Sequence, residues 1–298
     1  MAFGVLALGH GGGVPGPYMG IIGSYGNANF AVIPHLDRGW LGGRYGNKKG
    51  MLWEATFDRI HDTLKDHRYW LVDCGTETAL RLCGALGGQP VASKCQGIFL
   101  THGHDDHSGG LKAMGYRCKF YDKTKPWLYY PSAMSEILRS QLVEFNHLGT
   151  AAAPSGPHDF YNMHPLKWGK IDDWGEFGVS HFIVSHNCYD GNGVPFPSCG
   201  YRITTYGGMT IAFSGDTAYP VNPDVIANAD AVIHDVQFYN DGSGGDQVHC
   251  PYAMLRDSVP LEQRHRVWLT HTGHDLPPEI EADGFAGLFK QGSLLVLE

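Results

Sequence analysis

The heptapeptide T-H-G-H-D-D-H, Thr101 to His107, places His102, His104, Asp106 and His107 within six positions. Two imidazoles two residues apart can converge on one cation, while the carboxylate and imidazole that follow turn towards a second cation nearby. Neutral imidazoles and carboxylates are the donors preferred by zinc, and they also serve manganese and iron. Two cations held this way activate a water and polarise an oxygen of the bond under attack, so the chemistry implied is metal-assisted hydrolysis. Three more donors follow short apolar runs later in the chain: His186 after F-I-V-S, Asp216 in A-F-S-G-D-T, and His271 after V-W-L-T. A single His or Asp after a strand is ordinarily a cap or turn former. Their joint occurrence, in order behind the heptapeptide, makes them ligand candidates.

Donors scattered over 170 positions need a rigid frame that returns them to one place. Apolar runs that read as strands recur at Val5 to Leu8, Ala31 to Ile33, Trp70 to Val72, Gly97 to Leu100, Phe182 to Val184, Thr210 to Phe213, Ala231 to Ile233 and Val267 to Leu269. Five of them are followed within one to three residues by Asp73, His102, His186, Asp216 or His271. Reactive groups at strand ends above a sheet are the usual geometry of an α/β site. Helices are expected over Thr76 to Leu86, Ser132 to Asn146, Pro223 to Asn228, Pro251 to Ser258 and Glu279 to Phe289. Residues 36–69 read as an inserted loop with a helix-like stretch near Phe57 to Lys65. Residues 147–176, rich in Gly, Pro, His and aromatics without a clear period, read as a second long loop.

A chain of 298 residues with 43% hydrophobic content can fill one large core, and a single domain is expected. The net charge of −8 gives no general attraction to nucleic-acid backbones. Seven cysteines (74, 83, 95, 118, 188, 199 and 250) without a C-x-x-C pair speak against a disulfide framework or a zinc ribbon. With no basic leader and no run of about 18 apolar residues, a cytoplasmic protein without a membrane partner is expected.

The ordered set H-x-H-x-D-H, His186, Asp216 and His271 resembles the metallo-β-lactamase superfamily. The likeness runs from L-G-H-G-G-G-V-P-G-P at the start to L-T-H near the end, and L-V-D-C-G-T, C-G-Y-R-I, S-G-D-T and V-I-H-D-V-Q-F are similar to segments of its ribonuclease Z branch. This resemblance implies an αββα four-layer metallo-β-lactamase sandwich. It implies that His102, His104 and His186 hold one metal, that Asp106, His107 and His271 hold the other, and that Asp216 bridges them. It also points to His249, in V-H-C-P-Y-A-M-L, as the general acid for the leaving alkoxide. His234 and Asp235 stand where the branch usually has His-Glu, and the shorter carboxylate could orient the acid histidine. Asp106 and Asp216 would position the nucleophile. Asp73 is expected to support the metal loop rather than to ligate, and His10, His181 and His274 receive no direct role.

Transfer-RNA nucleases of this branch carry a basic arm between the third metal histidine and the bridging aspartate. Here that interval is thirty positions and leaves no room for one. The missing arm and the acidic charge favour a small nucleotide substrate, such as a cyclic mononucleotide or short cyclic oligonucleotide, over long RNA. Phage anti-Pycsar enzymes that degrade cyclic CMP and cyclic UMP resemble this chain in overall plan, and armless relatives imply a homodimer. Aromatics at Trp40, Tyr45, Trp127, Tyr129, Phe160, Tyr161 and Phe196 are candidates to stack a base. An RNA 3′-processing endonuclease, a lactamase or lactonase on the same two metals, and a silent nucleotide-binding protein are the competing readings. Zinc is the expected metal.

Overall fold

A computed structural model of the chain describes residues 2–8, 29–36, 53–54, 57–85, 88–150, 155–167, 172–173, 175–186, 188–189, 193, 195–238, 247–272 and 280–297. The apolar runs of the sequence form two sheets, each in its own compact unit. Unit 1 comprises residues 1–9, 13–167 and 291–298, and unit 2 comprises residues 10–12 and 168–290.

In unit 1, β1 (Ala2–Ala7), β2 (Phe30–Leu36), β3 (Trp53–Glu54), β4 (Tyr69–Val72), β5 (Cys95–Phe99), β6 (Trp127–Pro131), β7 (Asn162–Leu166) and β15 (Ser293–Leu297) make an eight-stranded sheet in the order β3-β15-β1-β2-β4-β5-β6-β7. β1 lies between β2 and the C-terminal β15, antiparallel to both, so the two ends of the chain are joined in one sheet. From β4 to β7 the strands run parallel, which sends every strand end of this half to one edge. The helices α1 (Phe57–Asp66), α2 (Thr76–Leu82), α3 (Asp105–Ser108), α4 (Leu111–Tyr116) and α5 (Ser135–Gln141) connect these strands. Leu71, Ile98, Leu128, Leu111, Met114 and Leu138 belong to one buried cluster of this unit. On the other face Trp70, Phe99, Tyr129 and Trp127 stack ring on ring, with centroids 5.6, 5.0 and 5.9 Å apart in that order.

In unit 2, β8 (Asp172–Asp173), β9 (Phe177–Ile183), β10 (Cys199–Thr205), β11 (Thr210–Phe213), β12 (Ala231–Asp235), β13 (Val267–Thr270) and β14 (Gly287–Leu288) follow one another across a seven-stranded sheet. β10 and β11 form a tight hairpin within the interval between His186 and Asp216. β11, β12, β13 and β14 are parallel. β9 is antiparallel to β10, and β10 to β11, so β9 ends at the same edge as β11 to β13. The helices α6 (Pro223–Ala227), α7 (Tyr252–Ser258) and α8 (Leu261–Arg264) belong to this unit. Asn222 caps α6 by accepting from the backbone N–H of Asp224 at 2.9 Å, with Pro223 in the first turn where no N–H is needed. No described helix is long and apolar enough to cross a membrane.

The expected strands are all present, and four stretches differ from the reading. The helix expected over Glu279 to Phe289 is absent over its described part: residues 280–284 turn and Gly287–Leu288 pair with β13. Gly284 and Gly287 both adopt positive φ there, a conformation that ends helical propagation. Ser132 to Asn146 is a short α-helix between two 3₁₀ turns rather than one long helix. The loop assigned to 147–176 contains β7, paired in parallel with β6 over five residues, because the backbone partners on β6 override a sequence with no strand-like period. The expected inserted loop at 36–69 contains β3 and α1, and its residues 37–52 lie outside the described set.

Candidate metal centre

His102 lies three residues past the end of β5, and His104 caps the one-turn helix α3 that presents Asp106 and His107. The ring nitrogens Nε2 of His102 and Nδ1 of His104 stand 3.1 Å apart, and the His102 and His107 ring centroids 4.1 Å apart. Nε2 of His107 lies 3.4 Å from Asp106 Oδ2. Two nitrogens bound at ~2.0–2.1 Å to one tetrahedral zinc are separated by roughly 3.3 Å, so the two imidazoles are spaced as a shared cation requires.

Asp73 organises this loop from beneath. It follows β4, adopts a φ of 64°, and is buried. Its Oδ1 accepts from the Thr101 N–H at 2.8 Å, and its Oδ2 accepts from Thr101 Oγ1 at 2.8 Å and from His107 Nδ1 at 2.7 Å. Thr101 Oγ1 is also 3.0 Å from His102 Nδ1. With Nδ1 thus engaged in both rings, Nε2 is the atom each offers to a cation, the arrangement by which outer carboxylates fix ligand tautomers. Burial raises the Asp73 carboxyl above its ordinary value, and the adjacent His107 and the Thr101 hydrogen bonds pull against that rise.

Thr101 and Asn29 are functional supports that sequence reasoning passed over. Asn29 donates from Nδ2 to the Asp106 carbonyl at 3.1 Å and accepts at Oδ1 from the Gly75 N–H at 2.7 Å, pinning both loops. Thr101 was visible as the residue before the first histidine. Asn29 sits in a Gly- and Asn-rich stretch and carried no signal.

Unit 2 gathers its own donors by the same device. His186 lies three residues past β9, Asp216 three past β11, Asp235 ends β12 and His271 directly follows β13. Since these strands point the same way, all four residues reach one edge. Asp216 Oδ2 is 3.5 Å from His271 Nε2, and His271 adopts a φ of 60°, a strained backbone for a non-glycine residue. Nδ1 of His186 hydrogen-bonds the Val248 carbonyl at 3.1 Å, and its Nε2 lies 3.5 Å from Cys188 Sγ. Burial lowers the His186 imidazole below its ordinary value against the opposing charge of Asp216, which favours the neutral form that ligates.

His249 completes the cluster. Its ring centroid is 4.4 Å from that of His271 and 5.7 Å from that of His186. Nδ1 of His249 donates to Asp235 Oδ2 at 3.0 Å, and the Thr217 N–H donates to the same oxygen at 2.9 Å. Burial by itself depresses the His249 imidazole. The charge and hydrogen bond of Asp235, with Asp216 beyond, outweigh burial and the repulsion of His271, and hold it above its ordinary value. His234, one residue earlier, is fully buried with Nε2 accepting from the Val221 N–H, so it is a structural residue.

Among the aromatics considered for base stacking, Tyr129, Phe160 and Tyr161 are completely buried and belong to the core. Trp127 is exposed and begins β6, where it pairs with Gly97 in the middle of β5. Trp40 and Tyr45, with His10 and His274, lie outside the described residues.

A model of the Anti-Pycsar protein Apyc1 family matches residues 62–295, well over half of the chain. The chain belongs to the Apyc1 family. Over 236 residues, 76% of this Apyc1-family chain and 86% of the relative, it is 26% identical to the Anti-Pycsar protein Apyc1 of Bacillus phage 010DV004. It is also 29% identical to the ribonuclease Z of Crocosphaera subtropica over 135 residues, 45% of this chain, and spans only 37% of that relative's length. Among solved structures it is similar to the metallo-β-lactamase fold protein YhfI of Bacillus subtilis, with a TM-score of 0.63, 16% identity and 100% of both chains covered. The Apyc1-family chain therefore has the metallo-β-lactamase fold, and it carries groups of His and Asp side chains of metal-binding character.

Proposed function

We propose that the protein is a binuclear metal-dependent phosphodiesterase that hydrolyses a small, cyclic nucleotide. The observation that carries this reading is membership of the Apyc1 family together with donor residues at every expected strand end. By the resemblance, His102, His104 and His186 would hold one cation, Asp106, His107 and His271 the other, and Asp216 would serve both. Two divalent cations, zinc in our reading, supply a water of lowered pKa and a Lewis-acid contact to the phosphoryl group.

The side chains supply the remainder. Asp106 and Asp216 orient the attacking water. His249 offers Nε2–H to the departing alkoxide, and Asp235, held by the Thr217 N–H, keeps the ring in place and supports its positive charge. The short β10–β11 hairpin and the net charge of −8 support a small substrate over long RNA. We further read the protein as a cytoplasmic homodimer.

The test is a substrate panel of cyclic mononucleotides, cyclic dinucleotides, a precursor transfer RNA and a cephalosporin, with and without a chelator. Chelator-sensitive cleavage of one cyclic nucleotide class is expected. Cleavage of the transfer RNA alone defeats the small-substrate reading, and opening of the cephalosporin alone defeats phosphodiester hydrolysis.

A further inference from the structure

Asp216, Asp235, His249 and His271 each bring one donor atom to within 4.8 Å of the others, and all four belong to unit 2. Asp216 and His271 have a place in the proposed binuclear set; Asp235 and His249 do not. Yet Asp235 is built into the cluster from both oxygens. Its Oδ2 faces His249 Nδ1 at 3.0 Å, and its Oδ1, which has no hydrogen-bond partner, lies 3.5 Å from His271 Nδ1. The side chain is 1% exposed. A buried carboxylate oxygen without a donor is costly unless a cation compensates it, and Asp216 adds a second negative charge, 3.8 Å from His249 Nδ1. Two carboxylates and two imidazoles make a full tetrahedral complement for zinc.

We propose that this cluster is a second-use site: it takes up an inhibitory zinc ion through Asp235 and His249, with Asp216 and His271 drawn from the proposed catalytic set. The inhibitory part rests on the function proposed above. A cation between His249 Nδ1 and Asp235 Oδ2 replaces the 3.0 Å hydrogen bond by which Asp235 holds the ring. The ring is then no longer held for the departing alkoxide. Because Asp216 and His271 are shared with the proposed catalytic set, filling this site also draws on ligands that turnover requires.

The experiment titrates the metal-stripped full-length chain with zinc against a chromophoric chelator, and follows hydrolysis of bis(p-nitrophenyl) phosphate and of a dialkyl-type cyclic nucleotide in parallel. Wild type is expected to show a weaker class of zinc binding whose filling suppresses turnover of the cyclic nucleotide. His249→Gln and Asp235→Asn should each weaken that class by at least ~tenfold, whereas Asp106→Asn, outside the cluster, should retain it. Equal zinc number and affinity in wild type, His249→Gln and Asp235→Asn would overturn the proposal, as would full turnover with the weak class filled. A chain that binds zinc in this pattern but hydrolyses no phosphodiester defeats the proposed function and the inhibitory role, while the zinc count still decides the site.

Discussion

Oδ2 of Asp73 lies 2.7 Å from Nδ1 of His107, with both side chains about 2% exposed, and the same oxygen accepts from Thr101 Oγ1. One carboxylate after β4 thereby sets the rotamer and tautomer of a proposed ligand on the loop after β5. The consequence is measurable separately from catalysis.

Asp73→Asn removes acceptor capacity under His107 and Thr101 while preserving size. Zinc affinity is expected to fall by ~10–100-fold, the usual effect of losing a partner behind a ligating histidine. Competition with a chromophoric chelator measures it. Unchanged affinity would mean that Asp73 supports the fold without tuning the loop.

His249→Ala should lower turnover of a cyclic nucleotide by ~10²–10⁴-fold, the range of general acid catalysis. Its effect on bis(p-nitrophenyl) phosphate should be much smaller, because p-nitrophenolate leaves without protonation. Equal losses on both substrates would place His249 in binding or structure instead. Asp235→Asn is expected to show the same leaving-group dependence to a lesser degree, since it acts through His249.

Exhaustive chelation should abolish hydrolysis and lower the thermal midpoint, because metal ligands that bind only the folded state stabilise it by mass action. Readdition of zinc should restore both. Full activity after verified removal of metal would contradict the proposed mechanism.

Gly110 caps α4 under the metal loop, where a Cβ would come within 2.3 Å of the Gly75 carbonyl oxygen and 2.7 Å of that of Cys74. The Gly110 N–H also donates to the Cys74 carbonyl at 2.9 Å. Gly110→Ala must push backbone against backbone, and a loss of ~1–3 kcal/mol in stability is expected, as for overpacked cores. Denaturant unfolding checks it, and a neutral substitution would show that the loop yields easily.

The donors themselves were legible because metal chemistry restricts residue type: imidazoles and carboxylates clustered as in His102 to His107, each after an apolar run, have few other reasons to occur together. The strands carrying them were legible for a similar reason, since buried parallel strands are nearly continuous in apolar residues. β7 was not, for Asn162 to Leu166 lacks any period and is a strand only because β6 lies beside it. Nor was the C-terminal helix excluded by composition; the positive φ of Gly284 and Gly287 decides it. What the chain determined by itself was therefore its fold class, most of its strand ends and its candidate donor side chains. Tertiary structure alone decided that Asp73 carries His107 and Thr101, that Asn29 ties two loops, and that Asp235 meets both His249 and His271. Those pairings join residues 14 to 77 positions apart, and a hydrogen bond depends on position and direction in space, which residue identity does not encode.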